Sequence, residues 1–282
     1  MLKKIVRSEA FQQFKKSKLG HWAAQSYGDW RYPLISLAWL LAKFLVPRRK
    51  VSVDGVDFTL PCMNWITHFR WYLFEKKEPE VRFYIDRYLK PGDIFFDIGA
   101  NIGVFSIYCA KRHKDVAVYS FEPEYSNLNL LKENVILNNL MSRVKIYSVA
   151  VGNFVGISHL NLQDLNPGAA VHTESKDPIQ ITEEGYGVVW SEGIMSVTID
   201  FICGQMGIIP SAMKIDTDGN EYKVLEGGMK TFSHEKCRSV VLELPIDQSK
   251  RDYCLGALKS CGFTLAWSDA DKTRNEIWVK QK

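Results

Sequence analysis

Several common sequence features are absent from this chain of 282 residues, and each absence removes a class of protein. Its six cysteines include no Cys-x-x-Cys pair, a spacing that is typical of redox motifs and many zinc sites. We therefore predict reduced, structural cysteines and a cytoplasmic protein. No internal repeat, low-complexity tract or dense basic stripe is present, and the formal net charge is only +4. This charge pattern does not indicate a nucleic-acid-binding protein.

Long apolar runs are also scarce. The strongest one, residues 34–46, is shorter than the roughly 20 residues that a membrane-spanning helix needs, and Lys43 interrupts it. We interpret it as a buried helix or an oligomer contact, although the sequence does not determine the oligomeric state. The alternative is a helix lying on the inner face of a membrane, with residues 34–50 and their basic end as the contact. The beginning of the chain lacks the pattern of a secretory signal.

The order of the predicted elements indicates an α/β fold. Residues 1–50 are predicted to form a helical appendage, and residues 51–90 a hairpin with a helical lead-in. From residue 91 to 282, apolar strands alternate with helices, which argues for a parallel sheet with helices on both faces and a closing antiparallel pair. Residues 152–195 interrupt this alternation with glycine and proline. We predict an irregular insertion there, near the acceptor site.

The glycine-rich sequence after the first strand of this domain is the clearest sign of a binding site. It reads Asp97-Ile98-Gly99-Ala100-Asn101-Ile102-Gly103 and lacks the Gly-x-Gly-x-x-Gly pattern of dinucleotide-binding turns. The first glycine lets the backbone approach a ligand, and the second packs the next helix against the strand. A carboxylate directly before the turn is a poor neighbour for a diphosphate but suits a cationic amino group.

The second strand ends in Phe121-Glu122-Pro123, where a carboxylate is placed to accept both hydroxyls of a ribose. S-adenosyl-L-methionine offers both required features, a ribose without phosphate and an amino-acid tail. The predicted cofactor-binding residues are Asp97, Gly99, Asn101, Gly103, Glu122 and Asn153. Considered alone, Asp97 could be a solvated loop carboxylate or a helix N-cap. Asn101 could equally cap the helix, and Asn153, expected near the adenine, could be an ordinary turn residue.

These motifs resemble the FkbM family of S-adenosylmethionine-dependent methyltransferases, within the class I methyltransferase fold. A second block agrees, Lys214-Ile215-Asp216-Thr217-Asp218-Gly219-Asn220-Glu221. In the family this block commonly begins Lys-Ile-Asp-Val-Glu-Gly, so Thr217-Asp218 retains the acid but shortens it by one methylene. The resemblance covers roughly residues 80–280 and does not explain the appendage. It implies a Rossmann-like, mostly parallel sheet of seven strands with a closing antiparallel strand.

The resemblance also implies methyl transfer to a hydroxyl oxygen of a sugar, a glycan, a glycolipid or a secondary metabolite, as in polysaccharide biosynthesis. Such an enzyme aligns a nucleophile, excludes water and accepts the hydroxyl proton. Carboxylates at the predicted strand ends are candidates for the base, and we select Asp216, Asp218 and Glu243. Glu221 is a weaker candidate, because an acid near a helix start is an ordinary feature. Lys214 is predicted to pair with a buried carboxylate.

Several alternatives stay open at this point. Neighbouring strand-end carboxylates could hold Mg²⁺, although the preferred interpretation assigns no metal ligand. A nicotinamide-dependent oxidoreductase could use the same sheet, but the missing Gly-x-Gly-x-x-Gly pattern counts against it. A non-catalytic scaffold would not need clustered strand-end acids. His172, in the insertion, is interpreted as a surface residue, with a general base as the alternative.

Overall fold

The computed structural model describes Leu41, residues 45–182 and residues 185–280. The chain divides after Pro47 into two units, and every element below belongs to the second unit, Arg48–Lys282. Most of the predicted helical appendage, and residues 34–40 and 42–44 of the predicted membrane contact at 34–50, fall outside the described residues, so both stay predictions. No helix in the described part of the chain is long and apolar enough to cross a bilayer.

The second unit contains strands and helices in alternation. Its strands are β1 (Arg48–Val53), β2 (Val56–Pro61), β3 (Ile94–Ile98), β4 (Ala117–Phe121), β5 (Val144–Tyr147), β6 (Ala150–Val151), β7 (Gly156–Leu162), β8 (Thr173–Ser175), β9 (Trp190–Val197), β10 (Ala212–Ile215), β11 (Ser239–Glu243), β12 (Phe263–Ser268) and β13 (Asn275–Lys280). Its helices are α1 (Trp65–Tyr72), α2 (Pro79–Tyr88), α3 (Val104–Arg112), α4 (Tyr125–Leu137), α5 (Ile199–Met206), α6 (Glu221–Glu226), α7 (Met229–Ser233) and α8 (Gln248–Ser260).

The second unit begins with the predicted hairpin, in which β1 and β2 pair antiparallel. Its turn residues, Asp54 and Gly55, have φ angles of 52° and 76°. Positive φ at both positions is the geometry of a tight type I′ turn, which an Asp-Gly pair favours. The hairpin buries its alternate apolar side chains in the main core.

A seven-stranded sheet lies at the centre, with the strand order β5-β4-β3-β10-β11-β13-β12. The strands from β5 to β11 run parallel to their neighbours, whereas β13 is antiparallel to both β11 and β12. This confirms the predicted mostly parallel sheet with a closing antiparallel strand. The strand order reverses between β3 and β10, and in such sheets ligands bind at the carboxyl ends of the strands beside this switch point.

Two apolar cores cover the two faces of this sheet. On β3, Phe95 packs into one core, whereas Phe96 and Ile98 pack into the other, because successive side chains of a strand alternate between faces. Helices α2, α3 and α4 cover the first face, and α5, α6, α7 and α8 cover the second. All six cysteines are buried and unpaired, as predicted.

The insertion at residues 152–195 is not irregular, and that prediction is wrong. It supplies β7, β8 and most of β9 to a second sheet with the order β6-β9-β7-β8. Both prolines of the insertion and its glycines at 168, 185 and 187 lie between the strands, whereas Gly156 begins β7 and Gly193 lies within β9. The turn signals were correct, but they separate short strands whose apolar alternation is weak.

Gly103 should be a sensitive packing position. It precedes α3 with a φ of 80°, and a Cβ there would overlap Leu131, which is fully buried in α4. Gly262 is a matched control, because its φ is 85° and no heavy atom lies within 4 Å of a Cβ added there. We expect Gly103→Ala to lose about 1–3 kcal/mol more unfolding free energy than Gly262→Ala, as overpacked cores do. Urea unfolding followed by circular dichroism measures this, and equal losses would contradict the packing argument.

Candidate active site

A cavity of about 290 Å³ opens at the carboxyl ends of β3, β4, β10 and β11. Its wall includes six of the residues predicted for the site: Gly99, Asn101, Glu122, Asp216, Asp218 and Glu243. They come together because the carboxyl ends of parallel strands meet at one edge of the sheet. The other three predicted residues, Asp97, Gly103 and Asn153, do not form part of this wall.

Glu122 fixes the glycine-rich turn. The backbone N–H of Asn101 donates to its Oε2 at 2.7 Å, and the N–H of Glu124 donates to its Oε1 at 3.0 Å. Burial raises the pKa of Glu122 to about 7, although both backbone donors favour the ionised form. Each carboxyl oxygen keeps a further lone pair, so this group can accept hydroxyls on the cavity side.

The two predicted glycines have packing roles. Gly99 has a φ of 73°, and a Cβ there would overlap the backbone carbonyl of Asp216. Only glycine therefore lets the turns after β3 and β10 approach each other this closely. Gly103 lies against Leu131 on the far side of the turn.

Asp97 lies beneath the cavity, with only 1% of its surface exposed. Its Oδ2 accepts a hydrogen bond from the hydroxyl of Ser106, and its Oδ1 lies 3.7 Å from the ammonium of Lys214. Oδ1 has no hydrogen-bond partner among the described residues. Burial raises the pKa of Asp97, and Lys214 opposes that rise. The loop and N-cap interpretations of Asp97 are wrong, because the carboxyl is buried and Gly103 is the N-cap of α3.

Lys214 pairs with buried carboxylates, as predicted. Its ammonium donates to Asp216 Oδ2 at 2.9 Å and to the carbonyl of Gly99 at 3.4 Å. Burial alone would lower the pKa of this lysine, but the charges of Asp216 and Asp97 outweigh burial and raise it. Lys214 therefore stays charged, and it is not available as a base.

Asp216 and Glu243 form a coupled acid pair on the cavity wall. The Asp216 charge acts on Glu243, and the guanidinium of Arg274 donates to Glu243 Oε1 at 2.8 Å. Burial and the Asp216 charge raise the pKa of Glu243 well above its ordinary value. Burial also disfavours ionised Asp216, but Lys214 outweighs it and lowers the pKa of that carboxyl. At neutral pH the pair therefore holds one proton, on Glu243.

Part of the insertion, Gly168–His172, contributes residues to the cavity wall, and we call this segment the strap. Four side chains donate to its backbone carbonyls, and one of them, Gln163, bonds that of Ala170 at 2.9 Å. The Nε of Arg70 bonds the first carbonyl at 2.6 Å, and the amides of Asn101 and Asn127 bond the second at 2.6 and 3.1 Å. Three separate elements therefore hold one end of the strap beside the cavity.

Asp218 holds the other end of the strap. Its Oδ2 accepts the backbone N–H of Val171 at 2.7 Å and that of His172 at 3.2 Å. Val171 has a φ of 64°, a conformation that β-branched residues rarely adopt. This geometry favours a positioning role for Asp218 over the predicted role as a base, because its carboxylate is engaged by two backbone donors.

His172 faces the cavity, which corrects the prediction of a surface histidine. Both ring nitrogens are buried and have no hydrogen-bond partner among the described residues. Burial lowers the pKa of this imidazole, so the ring is neutral at pH 7. A neutral imidazole offers one donor and one acceptor to a ligand.

Three cations on the wall were missed by the sequence analysis: Arg70, Lys77 and Arg274. Burial lowers the pKa of Arg70, and the charges of Glu78 and Asp216 oppose that change. Arg70 lies on α1, Lys77 lies in the segment between α1 and α2, and Arg274 directly precedes β13. All three lie outside the motif blocks, so no spacing in the sequence pointed to them.

Two further predictions concern residues away from the wall. The exposed side chain of Asn153 donates to Glu226 Oε2 at 2.9 Å, so the structure does not bring it to the cavity. Within the described ranges, no group of three or more His, Cys, Asp or Glu side chains could hold a metal ion. The suggested Mg²⁺ gains no support from this arrangement.

Glu221 stabilises the turn after β10. Its Oε1 accepts the N–H groups of Thr217 and Gly219 at 2.7 and 3.3 Å, whereas its buried Oε2 has no partner among the described residues. Burial raises the pKa of Glu221 from 4.5 to about 7, against these backbone donors.

The raised pKa of Glu221 predicts a pH-dependent stability difference. A carboxyl that holds its proton more tightly when folded loses its stabilising contribution as the pH rises from 4.5 to 7. Glu221→Gln removes this titration and retains an acceptor oxygen, so it should gain on the order of 3 kcal/mol relative to wild type over that range. Urea unfolding at pH 4.5 and 7.5 measures the gain. The exposed control, Glu235→Gln, should follow wild type, and a pH-independent difference for Glu221→Gln would refute the argument.

Comparison with known proteins adds independent information. Residues 97–265 match the family model described as the methyltransferase FkbM domain. The chain is 25% identical over 197 residues to 31-O-demethyl-FK506 methyltransferase FkbM of Streptomyces tacrolimicus, covering 63% of this chain and 75% of the relative. It is 32% identical over 195 residues to methyltransferase sdnD of Sordaria araneosa, covering 62% and 75%. A solved precorrin-6y C5,15-methyltransferase of Geobacter metallireducens aligns with 73% of this chain and 90% of its own, at 9% identity and a TM-score of 0.45.

The matched segment contains the parts of the site that lie at the strand ends. It begins at Asp97, includes Glu122 and the block from Lys214 to Glu221, and extends past Glu243 into β12. The family match covers more than half of the chain, and the strand order and the cavity position agree with it. The chain belongs to the FkbM family of S-adenosylmethionine-dependent methyltransferases.

Proposed function

We propose that this protein methylates a hydroxyl oxygen of a sugar, a glycan or a related polyhydroxylated acceptor. The observation that carries the proposal is that the Asp216–Glu243 pair shares one cavity with Glu122 and the glycine-rich turn. A protein that only bound a cofactor would have no use for two neighbouring, partly buried carboxyls, whose burial costs free energy. The name of the relative from Streptomyces tacrolimicus refers to an O-demethylated compound, which supports the same type of bond here.

The residues present fit S-adenosylmethionine. Glu122 would accept the ribose hydroxyls, and the neutral ring of His172 has two buried nitrogens that still lack partners among the described residues. Asp97, with Oδ1 unpaired beneath the turn, supplies negative potential near the amino group. When bound, the cofactor supplies a methyl group on a sulfonium, which is already an activated leaving group.

The remaining task of the protein is to orient the acceptor oxygen and to remove its proton. Glu243 is the base in this proposal, because a carboxylate with a raised pKa is a stronger base than ionised Asp216. Asp216 tunes that pKa through its charge, and Arg274 fixes the carboxyl through the hydrogen bond to Oε1. Asp218 and the strap limit the access of water to this wall.

A combined binding and transfer experiment tests this function. Isothermal titration calorimetry should detect S-adenosylmethionine binding, and methyl-labelled cofactor should mark hydroxyls in an extract of cellular glycans and lipids. Glu122→Gln should weaken cofactor binding about 10- to 100-fold, because hydrogen bonds to charged groups contribute about 1.5–3 kcal/mol.

Glu133→Gln is the matched control, since Glu133 is exposed on α4, and its affinity should equal that of wild type. Binding of a nicotinamide cofactor but not of S-adenosylmethionine would overturn the proposal. Label on nitrogen or carbon atoms instead of hydroxyl oxygens would overturn the acceptor chemistry.

The pH profile of kcat should report the ionisation of Glu243. The base works only when it is deprotonated, so kcat should rise as the pH passes through its raised pKa. Asp216→Asn removes the neighbouring negative charge, lowers the pKa of Glu243 and should move this rise to lower pH. Glu243→Gln should reduce kcat by roughly 10²–10⁴-fold and abolish the rise. If the rise stays in place in Glu243→Gln, another group is the base.

A further inference from the structure

A second cavity, of about 900 Å³, adjoins the first, and we call it the outer groove. Four residues line both cavities: Lys77, Glu78, Glu243 and Arg274. One side of the groove is formed by residues 76–83, around the start of α2, and the other by residues 267–275, between β12 and β13. The carboxyl assigned as base therefore lies where the two cavities meet.

The lining of the outer groove carries four basic side chains and five carboxyls, and its charges balance because Glu243 holds the proton assigned to it. Two ion pairs line the groove, Lys77–Glu78 at 2.9 Å and Lys272–Asp269 at 2.9 Å, and Arg274 donates to Glu243 Oε1 at 2.8 Å. Of the other charged lining residues, Lys76 and Asp271 are exposed and opposite in sign, and Glu80 is buried against Asn275. A charged ligand would meet side chains of both signs along the groove, whereas the hydroxyls of a neutral ligand can hydrogen-bond to both members of a pair.

Two aromatic side chains give the groove apolar surface. Phe83, on α2, is 47% exposed, and Trp267, on β12, is partly buried against the core. The pairing of β12 with β13 shifts register between Leu265 and Trp267. Bulges of this kind re-aim side chains next to functional sites. Aromatic faces combined with paired polar groups suit sugar rings, whose C–H faces are apolar and whose edges carry hydroxyls.

We propose that the outer groove binds the acceptor, that the acceptor is a neutral saccharide, and that Trp267 and Phe83 are its stacking surfaces. The ring lies against these side chains, and one hydroxyl reaches Glu243 at the junction of the cavities. The groove volume is near the upper end of the roughly 300–1,000 Å³ that ligand sites have. This inference rests on the proposed methyl transfer and deepens it by naming the place and the charge class of the acceptor.

Saturation-transfer difference NMR on the full chain tests the groove without any turnover. The probes are neutral glucose and galactose oligosaccharides and the corresponding uronic-acid oligomers. We expect the neutral probes to bind, and Trp267→Ala to weaken that binding about tenfold. Trp267→Phe should retain most of the affinity, because it keeps an aromatic face.

Trp190→Ala is the matched control, since Trp190 is 57% exposed on β9 and does not line the groove. Calorimetry should show that Trp267→Ala binds S-adenosylmethionine as wild type does, which also shows that the variant is folded. If Trp267→Ala is misfolded, Phe83→Ala, on the exposed side of α2, gives the same test.

Three results would overturn the groove proposal: no binding of a neutral probe, unchanged affinity in the Trp267 and Phe83 variants, or tighter binding of the uronates. Hydroxyl methylation that does not depend on Trp267 would defeat the groove proposal and leave the proposed function intact. Trp267-dependent saccharide binding without methyl transfer to any hydroxyl would defeat the proposed function and leave the groove proposal intact.

Discussion

The site depends on one buried ammonium. Lys214 lies between Asp97 and Asp216 and also contacts the carbonyl of Gly99, so it joins the two turns at the switch point of the sheet. Burying a charge costs several kcal/mol unless it is paired, and one lysine here compensates two carboxylates. A third carboxyl, Glu243, lies beside Asp216, and burial together with the Asp216 charge raises its pKa although Arg274 opposes that rise. The acid–base property of the site follows from burial and from the neighbouring negative charge.

The strap, Gly168–His172, covers one side of the cavity and is held by polar contacts. Side chains of Arg70, Asn101, Asn127 and Asp218 hold its backbone. The neutral amide bonds contribute about 0.5–1.5 kcal/mol net each, and those made by Arg70 and Asp218 about 1.5–3 kcal/mol. Val171 meanwhile stays at a φ of 64°, the kind of strain that surrounding contacts must maintain. The conformation of the strap over the cavity therefore depends on these polar contacts and not on apolar packing alone.

Sequence patterns predicted the parts of the site that depend on local order. The acids and glycines after β3, β4, β10 and β11 follow apolar strands, and parallel strands bring such ends together. The sequence did not predict which carboxylates are buried. Nothing in the motif distinguishes Asp97, which is buried beneath the cavity, from Asp216, which lies on its wall. Arg70, Trp267 and Arg274 could not be predicted, because only tertiary packing brings residues from either end of the domain to these cavities. The short strands of the insertion were missed because turn residues dominate the composition of that segment.

The departure from the family pattern at Thr217-Asp218 has a structural explanation. The hydroxyl of Thr217 donates to Glu221 Oε1 at 3.1 Å, a bond that valine could not make. Asp218 already reaches the N–H of Val171 at 2.7 Å, so a glutamate one bond longer, about 1.5 Å, would have to fold back or displace the strap. The shorter acid and the close strap therefore belong together. In a relative with glutamate at this position, either that side chain folds back or the segment over the cavity lies farther from the turn after β10, which would leave more room beside the base.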